Sequence, residues 1–107
     1  MTIQLKKGTL ELCVLSLLSR ADMYGFELVG EISAQIKISE GTIYPLLKRI
    51  KDVGYVTTYL QESQQGPPRK YYRITELGRV TLKSLEAEWH GLVVGINKIL
   101  QKSEGVN

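Results

Sequence analysis

Residues 39–54 alternate between apolar and polar positions with the period of an amphipathic α-helix. Four apolar residues recur at the i, i+3, i+4, i+7 spacing of a helix that packs on a core: Ile43, Leu46, Leu47 and Ile50. The opposite side carries Gly41, Tyr44, Pro45, Lys48 and Asp52. We expect Ser39 to cap the helix by accepting a backbone N–H and Gly54 to end it in the left-handed conformation. The segment predicts a short helix with one buried and one exposed face.

Two more helices are predicted ahead of this segment. From about residue 7 to residue 20 apolar side chains surround much of the helix, so we expect burial on more than one side. A break follows at residues 21–23, where Asp22 is the expected cap of a short helix with Tyr24, Leu28 and Ile32 on one face. Residues 33–38 form a connector, with an extended segment expected at residues 36–38. This order is that of a helix-turn-helix, with a connector longer than the minimal turn.

A β-hairpin is predicted directly after residues 39–54. Residues 55–61 are rich in Tyr, Val and Thr and alternate between two faces, as half-buried strands do, and residues 69–74 alternate similarly. The polar residues 62–68 between them end in the turn-forming sequence Gly66-Pro67-Pro68. A helix-turn-helix followed by a hairpin is the order of a winged helix-turn-helix. The predicted fold class is therefore mainly α with a β-hairpin wing, an α+β fold.

A long last helix is predicted from a cap at Thr75 to about residue 102. Its apolar residues have heptad spacing, which is typical of a helix that packs against a second helix along one apolar seam. Such a helix would be roughly 40 Å long, more than a small core can cover, so the uncovered stripe predicts a homodimer. We expect residues 1–75 to form the DNA-binding domain and residues 76–107 the dimerisation helix, in one compact unit. The expected interface residues are Leu10, Leu82, Leu85, Trp89, Leu92, Ile96 and Ile99.

Charge and composition narrow the class of protein. The chain has 107 residues, 43% of them hydrophobic and 23% charged, which is typical of one soluble globular domain. Its longest apolar stretch is far below the ~20 residues that cross a bilayer and lacks a signal-peptide layout, so we expect a cytoplasmic protein. The net charge is +3, and residues 41–80 hold seven basic and three acidic side chains. This placement is expected of a nucleic-acid-binding surface, although a solvated basic face has the same composition.

The residues needed for common kinds of catalysis are missing from the sequence. His90 is the only histidine and Cys13 the only cysteine, which excludes an ordinary zinc site within one chain and an intramolecular disulfide. No Cys or Ser has a spacing that points to His90 as the base of a catalytic set. Gly-rich phosphate-binding loops are also missing. Cys13 is expected to be a small core residue, with a redox-sensing thiol as the alternative. We therefore expect neither an enzyme nor a bound metal or cofactor.

Four segments together give the chain a resemblance to a known family. They are Gly8-Thr9-Leu10-Glu11-Leu12, Tyr24-Gly25-Phe26-Glu27-Leu28, Ser39-Glu40-Gly41-Thr42-Ile43-Tyr44-Pro45-Leu46-Leu47-Lys48-Arg49 and Gly66-Pro67-Pro68-Arg69-Lys70-Tyr71-Tyr72-Arg73-Ile74-Thr75. In this order and spacing they resemble the phenolic acid decarboxylase regulator (PadR) family of bacterial transcription factors, over residues 8–78 and more loosely through Trp89. Phe26 replaces a common tyrosine and Ile43 a common leucine. The single C-terminal helix matches the small members.

The resemblance implies a dimeric winged-helix repressor whose C-terminal helix supplies much of the dimer contact. It also implies a palindromic operator and, for several members, release by a small phenolic or drug-like effector. Helix 39–54 is then expected in the major groove, and wing 61–70 near phosphates or the minor groove. The expected DNA-binding residues are Ser39, Gly41, Thr42, Tyr44, Pro45, Lys48, Gly66, Arg69 and Lys70.

Each of these functional assignments has a structural alternative. Tyr44 is also consistent with a half-buried packing residue, Lys48 with a solvated lysine, and Arg69 and Lys70 with charges that protect a strand edge. Trp89 is expected in the dimer core, in an apolar slot for a flat aromatic effector, or in both. For the whole protein, the alternatives are a small-molecule-binding or protein-interaction winged-helix module without specific DNA binding.

Overall fold

Four helices and three strands form the part of the chain that the computed structural model describes, which is the backbone of residues 3–104 and the side chains of residues 8–101. In chain order they are α1 (Ile3–Leu18), β1 (Met23–Tyr24), α2 (Gly25–Ser33), α3 (Glu40–Asp52), β2 (Val56–Gln61), β3 (Arg69–Ile74) and α4 (Glu76–Glu104). This order confirms the predicted winged helix-turn-helix with a long C-terminal helix. The outer ends of the two predicted domains, at residues 1–2 and 105–107, lie outside the described residues.

The core lies where α1, α2 and α3 meet the inner face of the sheet. α1 buries Leu10, Val14, Leu15 and Leu18, while α2 contributes Leu28, Val29 and Ile32. All four apolar residues predicted on the inner side of α3 are buried, and Ile43, Leu47 and Ile50 are fully inaccessible. Burying each such side chain contributes about 1.5–3 kcal/mol, so the apolar stripe is what holds α3 in place.

The two ends of α3 follow the predicted cap positions, with one difference at Ser39. Ser39 occupies the N-cap position with an extended backbone, but its hydroxyl makes no bond to a backbone N–H. The hydroxyl instead lies 3.2 Å from the Thr42 hydroxyl. Gly54 follows the last turn with a φ of 87°, the left-handed conformation that was predicted for it. The helix continues through Pro45.

The start of α2 differs from the predicted pattern. Tyr24, and not Asp22, is the N-cap residue, and its backbone N–H donates to Glu27 Oε1 at 3.1 Å. Met23 and Tyr24 form β1, an unpredicted strand that pairs antiparallel with Tyr72 and Tyr71 of β3. No strand forms at residues 36–38, where an extended segment was predicted, and these residues form a bend and an irregular connection to α3.

The wing consists of β2 and β3, the antiparallel pair predicted from the alternating pattern. Pairing runs from Val56 with Ile74 to Gln61 with Arg69, and the complete sheet has the order β1-β3-β2. Tyr55, predicted as the first strand residue, lies just before β2. Its N–H donates to the Ile50 carbonyl at 2.9 Å, so it ties the end of α3 to the start of the wing.

Helix α4 begins at the predicted cap and extends beyond the core. The Gly78 N–H donates to Thr75 Oγ1 at 3.0 Å, and the Thr75 hydroxyl donates to the Gly54 carbonyl at 2.7 Å. Leu82 is buried and Leu85 half-buried against the core, whereas Val93 is the one side chain from residue 86 to 101 that is not exposed. None of the described helices has the length and apolar character needed to span a membrane.

Candidate nucleic-acid interface

The outward side of α3 presents the side chains that the sequence predicts for DNA binding. Ser39, Gly41, Thr42, Tyr44, Pro45 and Lys48 are all exposed. Because the first-turn N–H groups of a helix have no intrahelical partner and lie at its positive end, the first turn of α3 is suited to contact phosphate oxygens. The absence of a side chain at Gly41 leaves this turn open, with only the Ser39 hydroxyl 3.9 Å from where a Cβ would lie.

Tyr44 rests on the start of α2 rather than extending freely into solvent. Its Cε1 would be 2.9 Å from a Cβ at Gly25, so the aromatic ring lies on the bare backbone of that glycine. The ring remains 43% exposed. Burial raises the pKa of the neighbouring Tyr72, and interaction with Tyr44 raises it further. Tyr44 is therefore both packed and accessible, and its contact with DNA stays a prediction.

Lys48 and Arg49 of α3 make ion pairs with different elements. Lys48 Nζ lies 3.0 Å from Asp52 Oδ2, and both side chains are largely exposed. An exposed pair of this kind is worth about 0–1 kcal/mol, so Lys48 can exchange Asp52 for a phosphate at little cost. Arg49 instead contacts Glu11 of α1 at 2.7 Å. Arg49 thus fixes α3 on α1, while Lys48 remains available on the outward side.

The wing places Arg69 and Lys70 at the start of β3, next to the exposed tip loop that contains Gly66. The Arg69 guanidinium carbon lies 4.6 Å from the centre of the Tyr24 ring, a cation–π arrangement. Arg69 makes no ion pair with another residue in the part of the chain whose side chains are described. Its charge is therefore held in place but not neutralised.

A second arginine on the same face of the sheet is bound differently. Arg73 lies 4.9 Å from the centre of the Tyr59 ring and forms an ion pair with Asp22 at 3.0 Å. The Tyr59 hydroxyl donates to the same carboxylate at 2.7 Å, and this hydrogen bond raises the pKa of Tyr59. Asp22 therefore connects β2 to β3 and neutralises Arg73.

Three residues around this surface make contacts that were not predicted from the sequence: Asp22, Tyr24 and Arg73. The alternation of β3 already placed Arg69, Tyr71 and Arg73 on one face, opposite the buried Tyr72. The strand β1 was not predicted from the sequence pattern. It brings Tyr24 next to that face, where the Tyr24 ring lies 5.5 Å from the Tyr71 ring.

The residues predicted for the dimer interface separate into two groups. Leu10 and Leu82 are buried within the chain itself, with 1% and 8% of their surfaces exposed, and Leu85 is half-buried. Leu10 therefore belongs to the chain's own core and is not accessible to a second protomer. The remaining four, Trp89, Leu92, Ile96 and Ile99, are 38–69% exposed and form an uncovered apolar stripe on α4.

A groove of about 290 Å³ lies beside this stripe, between α1, the end of α2 and α4. Leu12, Leu17, Ile36 and Trp89 contribute apolar surface. The charged and polar lining includes Arg20, Glu31, Glu86 and His90. Cys13 also lines the groove, where burial raises the pKa of its thiol. Because the thiolate is the reactive form, this shift disfavours the redox-sensing role considered for Cys13. Among the described residues, no cluster of His, Cys, Asp and Glu is arranged to hold a metal ion.

Comparison with known proteins assigns the chain to a family. The model of the "Transcriptional regulator PadR-like family" matches residues 14–84, which include α2, α3 and the whole wing. The chain belongs to the PadR-like family. An uncharacterized protein from Lysinibacillus sphaericus is 36% identical over 87 residues, which cover 78% of this chain and 80% of that protein.

Solved structures of PadR-like proteins have the same fold as this chain. A PadR-like transcriptional regulator from Bacillus cereus is 37% identical with a TM-score of 0.82, covering 92% of this chain and 97% of its own. A PadR family transcriptional regulator from Eggerthella lenta is 38% identical with a TM-score of 0.79, covering 92% and 87%. The resemblance inferred from the four sequence segments is confirmed. The protein is a PadR-like transcriptional regulator, which implies DNA binding and is not an enzymatic function.

Proposed function

We propose that this PadR-like regulator is a homodimeric repressor that binds a palindromic operator and is released by an aromatic small molecule. The observation that carries the DNA-binding part is the convergence of α3 and the wing. Tyr44 of α3 lies on Gly25, and Arg69 of the wing lies on the adjacent Tyr24. Adjacent residues of one segment thus contact both α3 and the wing, which supports the proposal that the two elements approach one DNA duplex together.

In the proposed complex, α3 enters the major groove with its outward side facing the bases. Ser39 and Thr42 bind phosphate at the start of the helix, and Gly41 and Pro45 allow close approach of the backbone. Tyr44 contacts phosphate or sugar, and Lys48 contacts phosphate or a guanine edge. On the wing, Gly66 allows the tip to approach the duplex while Arg69 and Lys70 bind phosphates.

The uncovered stripe on α4 supports the proposed homodimer. Trp89, Leu92, Ile96 and Ile99 follow heptad spacing, and no part of the described chain covers them. A second α4 supplies a matching apolar surface and holds two copies of α3 in a defined relation. Two symmetrically related recognition helices require two related half-sites, which accounts for a palindromic operator.

The groove beside Trp89 supports the proposed effector. Its volume of about 290 Å³ is at the lower end for small-molecule sites, and its lining combines apolar side chains with Arg20 and His90. A flat aromatic compound that stacks on Trp89 would contact α4 next to the proposed dimer stripe. Binding there would change how the two protomers are arranged and, through that arrangement, the spacing of their α3 helices.

Replacing Lys48 or Arg69 by alanine is expected to weaken operator binding about 3- to 10-fold each without lowering the melting temperature. Both side chains are exposed, so their loss removes charge contacts but no core packing. The duplex is first selected from a random-sequence pool, and its affinity is measured at several salt concentrations. Each variant should reduce the salt-dependence slope by about one unit if it loses one phosphate contact.

Lys83→Ala, on the exposed surface of α4, is the matched control and should leave affinity unchanged. Unchanged affinity in both Lys48→Ala and Arg69→Ala would remove the proposed DNA contacts. Equally weak binding to every duplex would favour a protein-interaction module. A reporter gene with the selected site next to its promoter tests the direction of regulation, and higher expression in the presence of the protein would contradict repression.

An aromatic effector is expected to quench Trp89 fluorescence and to lower operator affinity at the same concentrations. Trp89 is the only tryptophan, so the signal reports directly on the groove. The test titrates a panel of planar phenolic and cationic aromatic compounds into the protein, with and without the selected duplex. Quenching without any change in operator affinity would favour a small-molecule carrier, and no quenching by any of them would contradict the proposed slot.

A further inference from the structure

The adjacent residues Tyr24 and Gly25 contact one residue from each of the two proposed DNA-binding elements. We infer that they are positioning residues for operator binding, with Tyr24 holding Arg69 of the wing and Gly25 leaving room for the Tyr44 ring of α3. This inference rests on the proposed DNA-binding function and deepens it. Neither residue needs to touch the duplex, because both act through the side chain that lies on them.

Tyr24 is itself firmly held, so it can fix the arginine above it. Its backbone pairs with Tyr71 in the sheet, and its N–H donates to Glu27 Oε1 at 3.1 Å. Its ring lies 5.5 Å from the Tyr71 ring and 6.5 Å from the Phe26 ring. An arginine on a surface strand would otherwise sample many rotamers, and part of that freedom would be lost on binding phosphate. Contact with Tyr24 restricts Arg69 before DNA arrives, while leaving its charge unpaired.

Gly25 acts through the space that its missing side chain leaves. A Cβ at this position would lie 2.9 Å from Tyr44 Cε1, 3.5 Å from the hydroxyl oxygen and 3.6 Å from Cζ. The backbone of Gly25 is not in the left-handed region, so alanine is compatible with its conformation. The consequence of adding a methyl group is therefore displacement of the Tyr44 ring, away from the position from which it would contact the duplex.

The role of Tyr24 is tested by a double-mutant cycle with Arg69 on the duplex selected from a random pool. Tyr24→Leu is expected to weaken binding about 2- to 5-fold, the size of an exposed cation–π contact. Tyr24→Phe keeps the ring face and should bind as the unmodified protein does. In the Arg69→Ala background, Tyr24→Leu should have no further effect, because the side chain that it holds is gone. Tyr24→Phe, which removes only the hydroxyl, is the matched control.

Two results would overturn this role for Tyr24. One is additive loss of affinity in the Tyr24→Leu, Arg69→Ala double variant, which would show that the two residues act independently. The other is a loss in Tyr24→Phe as large as in Tyr24→Leu, which would assign the effect to the hydroxyl. The melting temperature of each variant is measured alongside. If Tyr24→Leu is less stable, the cycle remains informative, because the same loss of stability occurs with and without Arg69→Ala and cancels in the comparison.

The role of Gly25 is tested by Gly25→Ala, with Gly30→Ala in the same helix as control because nothing lies within 4 Å of a Cβ there. Gly25→Ala should weaken binding about 3- to 10-fold, the loss expected when one hydrogen bond from Tyr44 to the duplex is no longer made. Tyr44→Ala vacates the space, so adding Gly25→Ala to it should cause no further loss. Unchanged binding of Gly25→Ala, or an undiminished effect in the Tyr44→Ala background, would overturn the inference.

Failure of this inference is distinguishable from failure of the proposed function. If Lys48→Ala, Arg69→Ala and Tyr44→Ala all bind the selected duplex normally, the proposed interface itself is wrong. If those variants lose affinity while Tyr24→Leu and Gly25→Ala do not, the interface stands and only the positioning role is rejected.

Discussion

Replacing Gly78 by alanine is expected to lower the free energy of unfolding by about 3 kcal/mol, the upper end of the range for overpacking a core. A Cβ at this buried position would overlap the Tyr55 carbonyl oxygen and lie 2.7 Å from Ile74 Cγ1. The Tyr55 backbone cannot rotate away, because its N–H donates to Ile50 and its carbonyl accepts from the Thr75 N–H at 3.0 Å. The first turn of α4 would have to move off the sheet.

The loss of free energy is measured by denaturant unfolding at fixed protein concentration, and thermal unfolding should show a fall of roughly 10–20 °C in melting temperature. Gly30→Ala makes the same chemical change in an open part of α2 and should instead stabilise the chain by about 1 kcal/mol or less. A Gly78→Ala variant as stable as Gly30→Ala would show that α4 does not approach Tyr55 this closely.

Replacing Leu92 by aspartate is expected to produce folded monomers and to reduce operator affinity on the order of 100-fold, because two half-sites would no longer be bound by one linked unit. Leu92 is 44% exposed in the single chain, so the change disturbs little of the core. In the proposed dimer it would place a charge in an apolar seam, where burial of an unpaired charge is strongly unfavourable.

Light scattering measures the mass of the Leu92→Asp variant, and circular dichroism shows whether it retains its helices. Asn97→Asp is the matched control, since it adds a negative charge at an exposed position about 140° around the helix from Leu92. The control should remain dimeric and bind the operator. A fully dimeric Leu92→Asp variant would show that the stripe is not the interface.

The elements that could be predicted from the sequence are those defined by local periodicity. Ile43, Leu46, Leu47 and Ile50 share one side of α3 because of the helical repeat alone, and all four are buried. The strand Arg69–Ile74 has its predicted bounds, since alternation and the preceding Gly-Pro-Pro sequence both mark it. The Thr75 cap and the exposed heptad stripe on α4 follow from equally local patterns.

The contacts that could not be predicted join residues far apart in the chain. Asp22 was expected to cap α2, but its carboxylate instead accepts hydrogen bonds from Tyr59 and Arg73. A two-residue strand such as β1 has no periodicity of its own and exists only because β3 offers unpaired backbone groups. Leu10 was assigned to a dimer seam since its apolar character does not distinguish an interface from the core of the same chain.

Sequence periodicity was sufficient to predict the winged helix-turn-helix, the outward side of α3 and the exposed stripe on α4, because helical and strand periods place side chains on faces without reference to the rest of the molecule. Which polar groups on those faces are held and which are neutralised depends on contacts between elements that folding brings together. Arg69 and Arg73 lie on the same face of β3 and look equivalent in sequence. Arg69 lies on Tyr24 with its charge unpaired, whereas Arg73 is neutralised by Asp22. That difference depends on distances across the sheet, which folding alone sets.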